Sequence, residues 1–392
     1  MGEKEKVKKA TGSVFNQIEA LMEKRKEKDI VPLHIGDTYL PPVGPASLEG
    51  LSANELGRYS IYPPTQGIHD LRQKLSEKIF NQNKINISGP ECIQITAGAT
   101  NGIFGAFQAL LNPGDEVLLL SPWWPVITQV CEAARITWKE VPFFLKALNS
   151  SKEELKEILN KSKTQKTKAI YYSSPNNPTG IVLNKDAVEA IAEFALDNNL
   201  FVISDEAYEE FIYTDKKHIS IASLPHMHEK TVSVFTFSKL CAVSGYRIGY
   251  VVSSENIIAK INKIITGCVY SAPLPAQILV LRALNTKDQW FPPIKKRYKE
   301  EWTIAKDNLQ VPFVECESGY FIFLDLSKII KENEDIWDVV EKLLDSGVSA
   351  TPGIVSGPSY SRYLRICFVS VNPQRLKEGI QRINNTFNLY GG

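Results

Sequence analysis

Between residues 92 and 252, short apolar runs alternate with amphipathic stretches, and the runs stop at turn-forming residues. Candidate strands lie at 92–96, 116–120, 169–173, 201–204, 232–237 and 248–252. Between them, 102–111 and 185–198 carry helical spacing; in the second, Ala187, Val188, Ile191, Ala192, Ala195 and Leu196 share one face. This alternation predicts an α/β fold, a mostly parallel central sheet covered by helices. The strand ends read Ala97-Gly98-Ala99, Ser121-Pro122, Ser174-Pro175-Asn176-Asn177-Pro178 and Asp205-Glu206. In an open sheet of this kind ligands bind outside the carboxyl ends of the strands, so these turns are where chemistry is expected.

A chain of 392 residues is long for one core and suits two domains. The flanks supply the second: a helix at 15–28 followed by a Pro-rich crossing at 40–45, and later strands at 319–326 and 363–368 with a helix at 336–344. We therefore expect a large domain over 46–276 and a smaller α+β domain over 277–392, with residues 1–45 packing against the latter. The Lys/Glu-rich residues 1–9 read as a solvated tail or a frayed helix start.

Lys and Arg total 45 against 44 Asp and Glu, a balance that offers no electrostatic reason to bind nucleic acid or an anionic membrane. No apolar run approaches a membrane span. The six cysteines are scattered, with no C-x-x-C pair and no apolar leader, which points to a reducing, cytoplasmic setting. His226 and His228 have no accompanying ligand spacing, so no metal is expected.

Three segments carry candidate chemistry. Phe201-Val-Ile-Ser-Asp205-Glu-Ala-Tyr208 delivers a carboxylate to a strand end and a phenol three residues later; a strand meeting water reads the same way, whereas the functional reading is an acid facing a cationic ring nitrogen. Ser173-Ser-Pro-Asn-Asn177-Pro178-Thr-Gly180 is a turn by composition, and it places Asn177 at the same sheet edge as Asp205. In Thr236-Phe-Ser238-Lys239, a lysine just past a buried strand can be desolvated and made nucleophilic, while nearby hydroxyls and Arg247 would supply donors to a phosphate. An isolated Ser-Lys is an ordinary surface pair.

Taken in the order Asn177, Asp205, Lys239, Arg247, these segments resemble the class I/II aminotransferases, the aspartate-aminotransferase-like branch of the fold type I pyridoxal-phosphate enzymes, where N-P-T-G, D-E-x-Y and S-K-x-x-x-x-x-G-x-R recur at this spacing. The resemblance extends from about Gly36 to Arg365. It implies that Lys239 holds pyridoxal 5'-phosphate as a Schiff base and shuttles the substrate proton. Asp205 would keep the ring nitrogen protonated, and Asn177 and Tyr208 would hydrogen-bond the ring oxygen. Arg247, with Ala99 and Thr100 opening a helix and with Thr236 or Ser238, would hold the phosphate. Trp124 would stack on the ring. Tyr62 would reach the phosphate of a neighbouring subunit, which implies a homodimer with shared sites. Arg365, an arginine inside an apolar strand, would grip the substrate α-carboxylate, and Gly36 would let the backbone approach it.

The chain departs from the family pattern beside the substrate. Gly36-Asp37-Thr38-Tyr39-Leu40-Pro41-Pro42 replaces the usual G-E-P-x-F-x-x-P, and Trp123-Trp124 replaces a small residue before a tyrosine. Gly267 stands four residues before Ser271, where dicarboxylate-specific members carry a further arginine. With Tyr39, Trp124, Tyr270 and Tyr320 nearby, these departures imply a large neutral or aromatic L-amino acid exchanging its amino group with a 2-oxo acid. The same residues would also serve a lyase or cyclase acting by β- or γ-elimination, and a pyridoxal-phosphate-binding regulator is the non-enzymatic reading.

Overall fold

The computed structural model describes residues 13–52 and 56–388; the charged residues 1–9 lie outside them. In chain order the strands are Val31–Pro32 (β1), Ile93–Thr96 (β2), Glu116–Ser121 (β3), Thr137–Pro142 (β4), Thr167–Ser173 (β5), Phe201–Asp205 (β6) and Thr231–Thr236 (β7). They continue with Gly249–Val252 (β8), Phe321–Asp325 (β9), Val348–Ser349 (β10), Thr351–Pro352 (β11) and Tyr363–Cys367 (β12).

A seven-stranded sheet runs in the order β2-β8-β7-β6-β5-β3-β4. Neighbours from β4 to β7 pair in parallel, and β8 lies antiparallel to both β7 and β2. Alternate residues enter opposite cores, as the two-residue repeat of a strand demands. Leu118, Leu120, Ile170 and Val202 pack with Ala187, Ile191 and Phe194 of helix Lys185–Asp197. Val117, Leu119, Ala169 and Ile203 pack on the other face with Ile103 and Phe107 of helix Ala99–Leu110 and with Ile261 and Ile265 of helix Glu255–Val269.

Several sequence expectations shift. The strand expected at 232–237 stops at Thr236, whose hydroxyl accepts from Ser238 N and starts the helical turn Phe237–Leu240. Strand β4 escaped the pattern because it is a partly exposed edge with Thr137, Lys139 and Glu140 in it. The N-terminal helix is Val14–Glu23, shorter than 15–28. Helical structure expected from 277 begins at Leu274, after Pro273.

The smaller sheet is antiparallel, β11-β12-β9, with Arg365 opposite Thr351 and Phe323. Here β1 pairs in parallel with β10, and Cys367 N donates to Leu33 O at 2.7 Å, so the N-terminal segment is built into this layer. The following crossing is strapped down residue by residue. Tyr39 N donates to Val369 O at 3.1 Å, Tyr298 OH to Thr38 Oγ1 at 2.7 Å, and Tyr39 OH to Glu301 Oε1 at 2.8 Å. Among the described residues, no helix is long and apolar enough to cross a membrane.

Glu301 is buried and its Oε2 has no partner, so burial raises its pKa to about 7 against the pull of Tyr39 and Arg297. A carboxyl raised in the fold holds its proton more tightly there than in the unfolded chain. Stability is therefore fully present below the unfolded value and declines as pH rises through about 7. Denaturant unfolding from pH 5 to 8 is expected to lose on the order of 2 kcal/mol more in the wild type than in Glu301→Gln. Parallel curves for the two proteins would show that Glu301 ionises normally.

Candidate active site

Parallel register brings Ser173 level with Asp205, so the turn after β5 and the carboxylate ending β6 meet at one sheet edge. Asp205 is buried. Its Oδ2 accepts from Tyr171 OH at 3.0 Å and its Oδ1 from Ala207 N at 3.2 Å. Burial raises its pKa to about 6 despite these donors. Tyr208 is also buried, edge-on to Tyr320 at 5.4 Å and Phe321 at 5.7 Å between ring centroids, and burial pushes its phenol well up.

The Asn176-Asn177 pair divides its work. Asn176 builds the turn, accepting from Thr179 Oγ1 at 2.7 Å and donating to Pro122 O at 3.0 Å. Asn177 Oδ1 accepts from Arg365 Nη1 at 3.1 Å. Arg365 is fully enclosed on β12. Its Nη2 donates to His34 O at 2.8 Å and Thr351 Oγ1 at 3.3 Å, and its guanidinium lies 4.3 Å from the Phe321 ring centre and 5.7 Å from that of Phe15. Burial lowers its pKa to about 10, which still leaves it charged at neutral pH. Among the described residues, Nε of Arg365 is the one buried guanidinium nitrogen without a partner, and such a donor is suited to an anion.

Lys239 sits on the helical turn that Thr236 caps. Its Nζ donates to Gly36 O, and its carbonyl accepts from Tyr320 OH at 2.9 Å. Desolvation lowers its pKa; Asp37 and Cys367 oppose that, and Arg365 and Arg247 reinforce it. Gly36 has to be glycine: a Cβ there would stand 2.6 Å from Phe321 Cζ. Arg247 takes a left-handed backbone, φ 51°, and donates from Nη1 to Ser244 O at 2.7 Å. Beside it, Gly98 (φ +82°) starts helix Ala99–Leu110 without a side-chain cap, and a Cβ on Gly98 would stand 3.0 Å from Arg247 Cζ. A helix start without a side-chain cap, with the Arg247 guanidinium lying against Gly98, is suited to a phosphate. With a desolvated amine and a buried carboxylate at the same edge, the donor set fits pyridoxal phosphate.

The remaining predicted residues spread further apart. Trp123 is the anchored tryptophan, donating from Nε1 to Val355 O at 3.2 Å, which leaves Trp124 as the half-buried ring. Tyr62 is 82% exposed and packs only 4.8 Å from the Tyr270 ring centre. Tyr39 turns its hydroxyl to Glu301 and Arg297, on helix Lys287–Asn308, instead of toward Lys239. Tyr171, His34, Thr351, Phe15 and Ser244 were not anticipated. Ser244 occupies an unspecified position between Lys239 and Gly245, and the other four lie outside any recognisable motif and reach their partners through the packing of distant segments.

A family model described as aminotransferase class I and II matches residues 28–383. The chain belongs to that family. Aspartate aminotransferase of Thermotoga maritima is 31% identical over 373 residues, 93% of each chain, and a probable aspartate/prephenate aminotransferase of Aquifex aeolicus is 34% identical over 331 residues, 82% of each. The crystal structure of an aromatic aminotransferase from Pyrococcus horikoshii superposes with a TM-score of 0.83 at 28% identity, covering 94% of this chain and 99% of that one. This aminotransferase thus moves an amino group between an amino acid and a 2-oxo acid, and members of its family use pyridoxal phosphate.

Gly98→Ala in this aminotransferase is expected to weaken cofactor retention at least 10-fold, because the new methyl displaces Arg247 and strains a positive φ. Equilibrium dialysis against pyridoxal phosphate checks it; unchanged retention would place the phosphate elsewhere.

Proposed function

We propose that this enzyme binds pyridoxal phosphate through Lys239 and transaminates large neutral or aromatic amino acids. The observation that carries the reading is Arg365: a buried guanidinium with a free Nε, flanked by Phe321 and Phe15 and held by Asn177 and Thr351. A cation so placed is suited to an α-carboxylate, and its aromatic surroundings favour an apolar side chain. Gly267, where the family pattern would put a second arginine for a distal carboxylate, leaves that position without a cation and agrees with the same preference.

Bound pyridoxal phosphate supplies an aldehyde carbon for the amino group and a ring that takes up the electrons of the Cα–H bond. The residues of this chain do the rest. Lys239, neutral more readily because it is desolvated, binds the cofactor and, once freed, moves the proton at the substrate Cα. Asp205 holds the proton on the ring nitrogen, with Tyr171 and the Ala207 amide keeping the carboxylate oriented. Asn177 and Tyr208 would hydrogen-bond the ring oxygen, and Trp124 would cover the ring. Arg247, the Ala99 and Thr100 amides and the hydroxyls of Thr236 and Ser238 would hold the phosphate.

We infer a homodimer in which Tyr62 completes the neighbouring phosphate site. Tyr62 and Ile61 are 82% and 64% exposed, with Val269 and Tyr270 beside them, an apolar patch suited to a second subunit. A reducing, cytoplasmic setting fits the free cysteines, five of which are buried. We propose domain boundaries at residues 45 and 276, the second inside the helix that begins at Leu274.

An absorbance screen of single amino acids against the holoenzyme is expected to convert the cofactor to its amine form with phenylalanine, tyrosine, leucine or methionine. Conversion by aspartate or glutamate alone would overturn the substrate class, and continuous ammonia release would indicate elimination. Arg365→Lys is expected to raise KM for the amino acid about 100-fold, the scale of one lost charged hydrogen bond of 2–3 kcal/mol. An unchanged KM would remove Arg365 from the carboxylate site.

A further inference from the structure

One carboxylate beside Lys239 has no part in the steps above. Asp37 follows Gly36, whose carbonyl receives Lys239 Nζ. Its Oδ1 accepts from Thr38 N at 2.9 Å, which shapes the crossing locally. Its Oδ2 accepts from Ser244 Oγ at 2.5 Å, a bond between residues far apart in sequence. Ser244 lies in the loop joining Lys239 to Arg247, and its own carbonyl accepts from Arg247 Nη1 at 2.7 Å. One serine therefore ties the crossing to the phosphate arginine, and the same crossing supplies the oxygen that holds the lysine amine.

We propose that Asp37 and Ser244 are a positioning pair: Ser244 locks the Gly36–Thr38 crossing onto the lysine–arginine loop, and Asp37 supplies the negative charge that steadies the Lys239 ammonium before the cofactor arrives. The proposal rests on Lys239 and Arg247 being the cofactor residues and assigns a task to two side chains outside that set. The electrostatic surroundings agree. The groups acting on Lys239 are Asp37 and Cys367, which favour its charge, and Arg365 and Arg247, which oppose it. The Tyr320 ring lies 5.8 Å from Nζ, and Asp205 feels the lysine in turn. Neutralising Asp37 leaves both arginines in place, so the amine must lose its proton at lower pH. Removing the Ser244 hydroxyl leaves the carboxylate in place but frees the loop.

Two measurements on the full chain separate these parts. Acetic anhydride labelling of Lys239 in the cofactor-free protein, followed by mass spectrometry across pH, gives the amine's titration midpoint. Equilibrium binding of pyridoxal phosphate and of pyridoxal, which lacks the phosphate, reads the loop. Asp37→Asn is expected to lower the midpoint by about one pH unit. Ser244→Ala is expected to leave the midpoint in place, to weaken pyridoxal phosphate about 10-fold and to spare pyridoxal, with Ser244→Thr restoring affinity. An unmoved midpoint in Asp37→Asn overturns the proposal, as does equal weakening, or none, of the two ligands in Ser244→Ala. If pyridoxal phosphate does not protect wild-type Lys239 from labelling, the cofactor assignment itself fails, a distinct result.

Discussion

Two cations, the desolvated Lys239 and the buried Arg365, lie near enough to act on each other's charge, and most of the architecture around them answers to that constraint. A buried charge needs partners or loses its charge. Lys239 is met by a backbone carbonyl from the N-terminal crossing, and Arg365 by His34 O, Thr351 and Asn177. These partners come from different layers of the molecule, so both sheets and the N-terminal segment must be in register before either cation is tolerated. Neither is fully satisfied. The unpaired Nε of Arg365 and the depressed pKa of Lys239 are both unfavourable to the fold, the kind of local conflict that concentrates at functional sites.

The crossing at Gly36–Leu40 is the point where these demands converge. Its first residue touches Lys239, its second bonds Ser244, and its third and fourth bond Tyr298 and Glu301 on helix Lys287–Asn308. A segment of this kind ties the smaller layer to Lys239 and to the loop that leads to Arg247. Its divergence from the family pattern therefore affects the lysine's surroundings as well as the substrate side. Tyr39 illustrates this: expected beside the substrate, it braces the crossing against a buried carboxyl.

Much of the candidate site is legible because each proposed cofactor residue lies at a strand end or turn by a short, local rule. Asn177, Asp205, Lys239 and Arg247 lie on short segments with marked turn or strand signals, and the parallel pairing of β5, β6 and β7 with the antiparallel β7–β8 pair brings them to one edge. The residues that orient them left no such mark. Tyr171 reaches Asp205 across neighbouring strands, Thr351 faces Arg365 across an antiparallel pair, and Phe15 comes from a helix near the other end of the chain. Each is an ordinary apolar or hydroxyl residue whose role comes from its neighbour. The edge strand β4 was missed for a related reason, since partial exposure blurs the apolar run.

The sequence by itself determined the α/β class, the aminotransferase family and the order of the cofactor motifs, because apolar periodicity and turn chemistry act over a few residues. The tertiary structure alone decided which tryptophan is anchored, where Tyr39 points, and that Asp37 meets Ser244. Those outcomes depend on the packing of segments separated by a hundred residues or more, where burial and unpaired polar groups select one arrangement. No local pattern encodes that selection.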